Sequence, residues 1–272
     1  MRIFKSFATV AICAMVCAGF TACDDDDDDN NNGGGNGQPN PSKVFPLGTP
    51  SKIGSANVTT GANGLVSQIK DENTTVKFEY LTSRADNNYD VKMVITDVDY
   101  PTENDTFMMR LNNQGFVEYC LQTSVSGSEK GTDEWWFKYN SAGQMNYMKH
   151  TEGDNEVTTI TYDNAGDITN VSVKDDDNNT SSCTISYSPL EDNKCGVMLF
   201  DECLGIDMDE MSYAYFAGLL GKATTHLPKL NKEDDGSSTK FDWTLSNGKP
   251  VKLISTYTYD GYDSVDEMTF AW

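Results

Sequence analysis

Carboxylates are the most abundant chemically reactive groups in this chain, with 42 Asp and Glu against 20 Lys and Arg and a formal net charge of −22. Adjacent acidic pairs, such as Asp133-Glu134 and Asp201-Glu202, are what a two-carboxylate glycoside hydrolase requires. In so acidic a chain such pairs arise by chance and usually mark solvated faces. We therefore predict that the protein is not an enzyme, and keep the carboxylate-dependent glycoside hydrolase as an alternative. Nucleic acid is excluded as an unaided partner, because the two polyanions repel each other.

One acidic segment partly resembles a Ca²⁺-binding loop. Its candidate ligands are Asn231, Glu233, Asp235 and, at the twelfth position, Asp242. Asn at the first position and Glu at the third weaken the match, and no second helix follows. We predict no cofactor, with Ca²⁺ at this loop as the alternative. The nucleophile-elbow, phosphate-loop and zinc-protease motifs are absent from the sequence.

Two neighbouring tryptophans suggest an exposed binding platform. Successive residues of a strand point to opposite faces, so Trp135 and Trp136 must diverge. If Trp135 shares the inner face with Phe137 and Tyr139, Trp136 lies outside, where an indole ring can stack on a sugar or contact a protein. The alternative is a Trp136 that a neighbouring loop covers.

Four cysteines remain after the N-terminal ones are assigned to export and anchoring: Cys120, Cys183, Cys195 and Cys203. An even number in an exported chain allows disulfides. Cys195 and Cys203 form the most plausible pair because they would close a short loop. Buried free thiols are the alternative, and both stay open from the sequence.

The N-terminus has the pattern of an export signal. A positively charged start precedes an apolar run over residues 7–20, which is too short to span a bilayer. The motif Phe20-Thr21-Ala22-Cys23 then resembles the lipobox of bacterial lipoproteins. The resemblance implies that residues 1–22 are removed as a signal peptide and that Cys23 carries the lipid.

The lipid cysteine and an acidic, Asn- and Gly-rich tether occupy residues 23–42, and a single β-rich domain follows over residues 43–272. Six like charges, Asp24–Asp29, repel one another, and the segment has nothing to bury. Acidic residues beside the lipid cysteine resemble the surface-export signal of Bacteroides-type lipoproteins. The resemblance implies a lipid-anchored protein on the outer face of the outer membrane; a periplasm-facing lipoprotein is the alternative.

Strand patterns and a recurring turn occupy most of the domain. Apolar and polar residues alternate from about residue 55 to 187, which predicts a series of strands. Turns such as Tyr139–Gly143 and Tyr162–Gly166 separate these strands. Asn, Asp and Gly adopt the left-handed angles that reverse antiparallel strands. Beyond the turns the apolar spacing is three and then two, as in Ile168, Val171 and Val173, which predicts a β-bulge in several hairpins.

The exception to the strand pattern is an apolar segment with helical spacing over about residues 207–221. We predict one helix there, with Gly221 just past its end, packed against the inner face of a curved sheet. The fold predicted is thus mainly β: an antiparallel meander of hairpins forming a partial barrel around that helix.

The segment Tyr213–Pro228 resembles a family of uncharacterised Bacteroides-type lipoproteins, the domain of unknown function 4595, which has a porin-like fold. The Tyr-Asp/Asn…Gly hairpins before this segment and Tyr259-Asp260-Gly261 after it resemble the same family. The resemblance covers roughly residues 55–272. It implies a curved antiparallel sheet with the helix inside, and it implies no activity.

We expect a lipid-anchored cell-surface protein that binds a glycan or another polymer and does not catalyse a reaction. The alternative outside that class is a structural or assembly partner of an outer-membrane complex. The expected partners are therefore the membrane, through the lipid, and a glycan or a surface protein.

Overall fold

The chain folds into an antiparallel β-barrel of sixteen strands in a computed structural model, which describes residues 37–81, 88–126, 129–151 and 155–272. The strands are Lys52–Ile53 (β1), Ala56–Thr60 (β2), Val66–Lys70 (β3), Thr74–Tyr80 (β4), Val91–Asp97 (β5), Asn104–Leu111 (β6), Val117–Ser126 (β7), Glu129–Tyr139 (β8), Met145–His150 (β9), Val157–Tyr162 (β10), Ile168–Lys174 (β11), Thr180–Ser186 (β12), Leu230–Glu233 (β13), Ser238–Ser246 (β14), Lys249–Tyr259 (β15) and Tyr262–Ala271 (β16).

The barrel is closed, which corrects the partial barrel expected from the sequence. Every strand pairs with its sequence neighbours, and β1 closes the ring by pairing with both β16 and β2. Lys52 lies opposite Ala271 on one side and Asn57 on the other. A two-residue strand is too short to show an alternating pattern, so the closure has no periodic signal in the sequence.

Bulges recur beside the hairpin turns, as the apolar spacing predicts. Register shifts occur in five hairpins, at Thr59/Thr60, Arg110/Leu111, Lys138/Tyr139, Thr161/Tyr162 and Thr244/Leu245. After the shift, residues three positions apart are buried, as Met145 and Met148 are on β9 and Ile168 and Val171 on β11. On β7 the buried residues are Val117 and Cys120, and Tyr119 lies on the outer face. Val265, Met268 and Phe270 have the same three-then-two spacing and predict a bulge in β16. That prediction is wrong, because β16 pairs with β15 without a shift and leaves Val265 exposed on the outside.

The long connection between β12 and β13, residues 187–229, enters the barrel; we call this segment the plug. It contains two short helices, Phe200–Leu204 (α1) and Ser212–Phe216 (α2), with a 3₁₀ turn at Asp209–Met211 before α2. The predicted helix over 207–221 is therefore shorter, and α1 was not predicted.

Gly218 explains why α2 ends early. It has a left-handed φ of 78°, and main-chain hydrogen bonds from Gly218 to Tyr215 and from Leu219 to Ala214 close the helix behind it. A Cβ on Gly218 would lie 2.6 Å from the Cα of Pro41. The apolar residues after Gly218 are buried although they are not helical. Their spacing matches that of a helix, and the predicted helix was therefore too long.

The plug closes one end of the barrel. Its main chain bonds to the strand and turns at that end: Lys222 donates to Gly143, and the Leu219 carbonyl accepts from Val117. Asp167, in the turn after β10, accepts from both the main chain and Nδ1 of His226, at 2.8 and 2.5 Å. We call this the plugged end, and the opposite end the mouth.

The N-terminal segment joins the plugged end. Gly37 and Pro41 are buried, Gly37 against the turn formed by residues 112–115 and Pro41 against Gly218. Asn40 caps a 3₁₀ turn at Pro41–Lys43. The folded body therefore begins before residue 43, and the last residues of the predicted tether belong to it. The remainder of the tether, Cys23 and the predicted signal peptide lie outside the described residues.

The lumen is packed with side chains from both the strands and the plug. The largest buried ones are Trp135, Tyr215, Phe45, Phe107, Phe116 and Phe241. Tyr215 contacts Phe45 and Phe200 edge to face. The described part of the chain thus forms a filled barrel, and the free space lies at the mouth.

No helix in the described part of the chain has the length and apolar character needed to cross a membrane.

Candidate functional site

The mouth contains a cavity of about 1120 Å³ between the barrel wall and the plug. Strand ends from both sides of the barrel form its wall, including Asp97 of β5 and Asp266 of β16. The plug forms its floor through α1 and the chain that follows, up to Phe216. Because the plug is seated at the other end, this is where the inner surface meets solvent.

Eleven carboxylates line this cavity, and the described lining residues include no Lys, Arg or His. The barrel contributes Asp97, Glu103, Asp105, Glu233, Asp266 and Glu267, the last of which pairs with Lys252 of β15 at the rim. The plug contributes Asp201, Glu202, Asp207, Asp209 and Glu210. So many like charges around a low-dielectric wall create a strongly negative potential that attracts cations.

Asn231 adds a hydrogen-bond acceptor to the floor. Its side chain is 3% exposed and lines the cavity from β13. Nδ2 donates to the Cys203 carbonyl at 3.4 Å, whereas Oδ1 has no hydrogen-bond partner among the described residues. A buried carbonyl oxygen without a donor costs free energy. The cavity therefore contains acceptors in excess, and a ligand with N–H groups would supply what is missing.

Both carboxylates of α1 have raised pKa values. Burial raises the pKa of Asp201 to about 6, and repulsion from Asp207, Asp209 and Glu233 acts in the same direction. Burial also raises the pKa of Glu202 to about 7, with a further contribution from Asp201. A bound cation would favour the charged form of both groups, so cation binding and proton release are coupled.

The burial of Glu202, with repulsion from Asp201, predicts that Glu202→Gln stabilises the ligand-free protein at pH 8. The folded-state pKa lies above the unfolded value, so Glu202 costs stability as pH rises from about 4 through 7. Removing the charge should raise the free energy of unfolding by roughly 1–3 kcal/mol at pH 8 and change it little at pH 4. Urea unfolding at both pH values measures it.

Asp176→Asn is the matched control, because Asp176 is exposed in the turn between β11 and β12 and does not line the cavity. We expect it to change stability by less than about 0.5 kcal/mol at either pH. A Glu202→Gln protein that is less stable than wild type at pH 8 would contradict the cost of burying this charge.

Trp136 lies on the outer face, as the alternation of the strand predicts, while Trp135 and Phe137 are buried inside. Its ring is half-buried: Tyr119 packs against it edge to face at 5.8 Å, and the Lys149 ammonium lies 5.3 Å from its centroid. Tyr89 stacks on Tyr119 at 6.4 Å. We call Tyr89, Tyr119 and Trp136 the outer aromatic strip. It is separate from the mouth.

The structure does not bring the four predicted Ca²⁺ ligands together. Asn231 and Glu233 line the mouth from the inner face of β13. Asp235 accepts from the main chain of Ser237 in the next turn, and Asp242 is exposed on β14, where it pairs with Lys240 at 2.8 Å. These positions cannot share one ion. Among the described residues, no group of three or more His, Cys, Asp or Glu is arranged to hold a metal.

The predicted Cys195–Cys203 disulfide is absent, and all four described cysteines are buried free thiols. Cys195 donates to the Gly248 carbonyl in the turn between β14 and β15, at the plugged end. Cys203 lies on α1 towards the mouth, where its carbonyl accepts from Asn231. The plug crosses the barrel between them, so their nearness in sequence does not bring them together.

The two acidic pairs have different environments. Asp201 and Glu202 lie in the mouth, whereas Glu134 on β8 accepts from Tyr119 Oη at 2.5 Å on the outer face. The histidines are also apart. His226 bonds to Asp167 at the plugged end, and His150 stacks on Trp135 inside the barrel at 4.6 Å.

Most of the mouth carboxylates were not singled out from the sequence. A signal for three of them exists: Asp97, Asp105 and Asp266 each stand two residues from an apolar residue on the same face of the strand. The period of two therefore places them inside the barrel. Which end they share, however, depends on the order of turns around the closed ring.

Comparisons with known proteins agree with this architecture. A porin-like protein from Bacteroides uniformis ATCC 8492 superposes with a TM-score of 0.60 at 17% identity, covering 79% of this chain and 89% of that one. A porin-like protein from Bacteroides vulgatus ATCC 8482 gives a TM-score of 0.53 at 13% identity, with 82% and 98% coverage. No curated protein matches the chain. The family described as a domain of unknown function (DUF4595) with porin-like fold matches residues 54–265, and the chain belongs to that family.

Proposed function

We propose that the protein is a lipid-anchored, non-catalytic binding module of the bacterial envelope, and that it binds a positively charged ligand in its mouth. The observation that carries the proposal is the cavity of about 1120 Å³ lined by eleven carboxylates. A site of this size accepts a molecule rather than a single ion. The unpartnered Oδ1 of Asn231 adds an acceptor for an N–H group.

The N-terminal segment joins the barrel at the plugged end, which supports an orientation in which the mouth faces away from the membrane. The described chain begins at Gly37, which is buried at the plugged end against the turn formed by residues 112–115. A lipid on Cys23 would attach the barrel through that end. The mouth, at the opposite end, would then face the medium or, in a periplasm-facing lipoprotein, the periplasm.

The outer face of the barrel supports attachment through the lipid rather than through the strands. Outward positions next to buried core residues carry charged side chains, such as Lys77, Lys92 and Lys138. A barrel embedded in a bilayer needs an apolar outer band about 25 Å tall. Lysines at these positions suit a barrel surrounded by water.

Binding of spermine, a linear polyamine with four positive charges at neutral pH, tests the proposal. We expect calorimetric titration of the full chain at pH 8 to show binding that salt weakens. The double variant Asp201→Asn/Glu202→Gln should lose about tenfold or more in affinity, because it removes two charges from the floor. Wild-type affinity should also fall between pH 8 and pH 5.5, as these carboxylates take up protons.

The control is Asp176→Asn/Asp177→Asn, which removes the same charge from an exposed turn outside the cavity. We expect it to keep wild-type affinity within about twofold. Equal losses in the two double variants would show that spermine senses only the net charge, and this outcome would refute a site in the mouth.

A glycan-binding role is the second candidate, and the outer aromatic strip favours it. Trp136 lies beside Tyr119 on the outside of β7 and β8 and can stack on a sugar ring. Screening on a glycan array, with Trp136→Ala as control, tests this role. No binding to any sugar, or binding unchanged in the variant, would remove it.

Two further candidate functions can each be tested separately. If this chain is an assembly partner of an outer-membrane complex, affinity capture of the chain from membranes should recover a second protein in stoichiometric amount. A carboxylate-dependent hydrolase would show turnover of a glycoside that Glu202→Gln abolishes, since Glu202 has the pKa of about 7 that suits a general acid.

A further inference from the structure

β16 is paired over most of its length on one side only. It lies opposite β15 from Tyr262 to Thr269, but on its other side β1 covers just Phe270 and Ala271. From Tyr262 to Glu267 every residue is exposed, with Tyr262 at 79% and Val265 at 62%. Within the described chain, the part of β16 nearest the mouth is therefore an open sheet edge.

The hydrogen bonds to β1 show which residues face this edge. Ser51 donates to the Ala271 carbonyl and the next bond runs from Gly54 to the Thr269 carbonyl, both at 2.8 Å. Main-chain groups along a strand alternate between its two neighbours. The N–H and C=O groups of Glu267, Val265 and Asp263 consequently point to the open edge, where no described strand meets them.

The side chains of the intervening residues face the cavity. Ser264, Asp266 and Met268 line the mouth. A strand added beside β16 would extend the mouth wall, and every second side chain of that strand would point into the carboxylate-lined space. The edge and the cavity thus form one continuous surface.

The charge of this surface selects the occupant. Asp263, Asp266 and Glu267 lie on the edge strand itself; Asp266 faces the carboxylates of the mouth, and Glu267 pairs with Lys252 of β15 at 2.6 Å. A second copy of this chain, with a net charge of −22, would be repelled. We infer that the edge of β16 binds an extended, lysine- or arginine-bearing segment of another protein by strand addition, with alternate basic side chains in the mouth. This inference rests on the proposed function of the mouth.

A fluorescein-labelled decapeptide of alternating Lys and Thr is the probe, measured by fluorescence anisotropy with the full chain. Val265→Pro removes an N–H that faces only the open edge, and proline is tolerated on edge strands. We expect Val265→Pro to weaken peptide binding at least tenfold and Val265→Thr, which keeps the N–H, to bind like wild type. Both variants should bind spermine as wild type does, because the mouth is unchanged.

A peptide N-methylated at every second residue, with the same charge, separates strand pairing from attraction of opposite charges and does not depend on how a variant folds. We expect it to bind wild type at least tenfold more weakly than the unmethylated peptide. Equal binding of the two peptides, or a Val265→Pro protein that binds the unmethylated peptide normally, would overturn strand addition while spermine binding still reports on the mouth. A wild-type dimer that Val265→Pro converts to monomer would also overturn it, by assigning the edge to a second copy.

Discussion

Trp135→Ala is expected to destabilise the barrel by about 3–5 kcal/mol, whereas Trp136→Ala should cost no more than about 1 kcal/mol. Trp135 is fully buried, and its indole N–H donates to Gln122 Oε1 at 2.8 Å. Removing the ring leaves a cavity beside His150 and an amide oxygen without its donor. Trp136 loses only its contacts with Tyr119 and Lys149 at the outer surface.

Thermal unfolding of the two variants measures this difference. For a domain of this size a loss of 4 kcal/mol lowers Tm by about 10 °C, well above the shift of a few degrees expected for Trp136→Ala. The pair is matched, since both variants remove the same side chain from adjacent residues of one strand. Similar losses in both would mean that the two rings do not point to opposite faces.

Gly196→Ala is expected to unseat the plug and to cost at least about 3 kcal/mol. Gly196 has a φ of 74°, and a Cβ there would lie 1.8 Å from the main-chain oxygen of Val44. Neither backbone can give way cheaply, because Val44 is buried and the Gly196 carbonyl accepts from Tyr215 Oη at 2.6 Å. The substitution should therefore separate the N-terminal segment from the plug.

Gly236→Ala separates this clash from the strain of the backbone angle alone. Gly236 has a similar φ of 92°, but nothing lies within 4 Å of an added Cβ. We expect it to cost about 1–2 kcal/mol. Urea unfolding gives both values, and limited proteolysis of residues 37–50 should accelerate only in Gly196→Ala. If the two variants lose the same stability, the contact between Val44 and Gly196 does not hold the plug.

The stability of the plug matters for the mouth because one segment serves both ends. Residues 219–226 bond to the strands and turns of the plugged end, and α1 with Asp201 and Glu202 forms the cavity floor. A variant that loosens the seat should therefore also weaken spermine binding, although it changes no carboxylate.

Local features were predictable because each depends on residues close together in the chain. The alternation around Trp135 and Trp136 determined which ring lies inside, and the Asn/Asp…Gly turns with their three-then-two apolar spacing determined the bulged hairpins. Prediction failed where an apolar pattern continued beyond the residue that ends the element. The apolar spacing after Gly218 continued that of a helix, although the left-handed glycine had already ended α2.

The sequence by itself thus determined a β meander with an apolar insertion, since strand period, turn chemistry and helix spacing act over fewer than about fifteen residues. Only the tertiary structure decided that the ring closes through the two residues of β1, and that Cys195 and Cys203 lie at different depths. It also decided the candidate site. The strand period places Asp97 and Asp266 on the inner face, but it does not show that they meet Asp201. These three residues share one cavity because barrel closure and the plug bring distant segments to the same end.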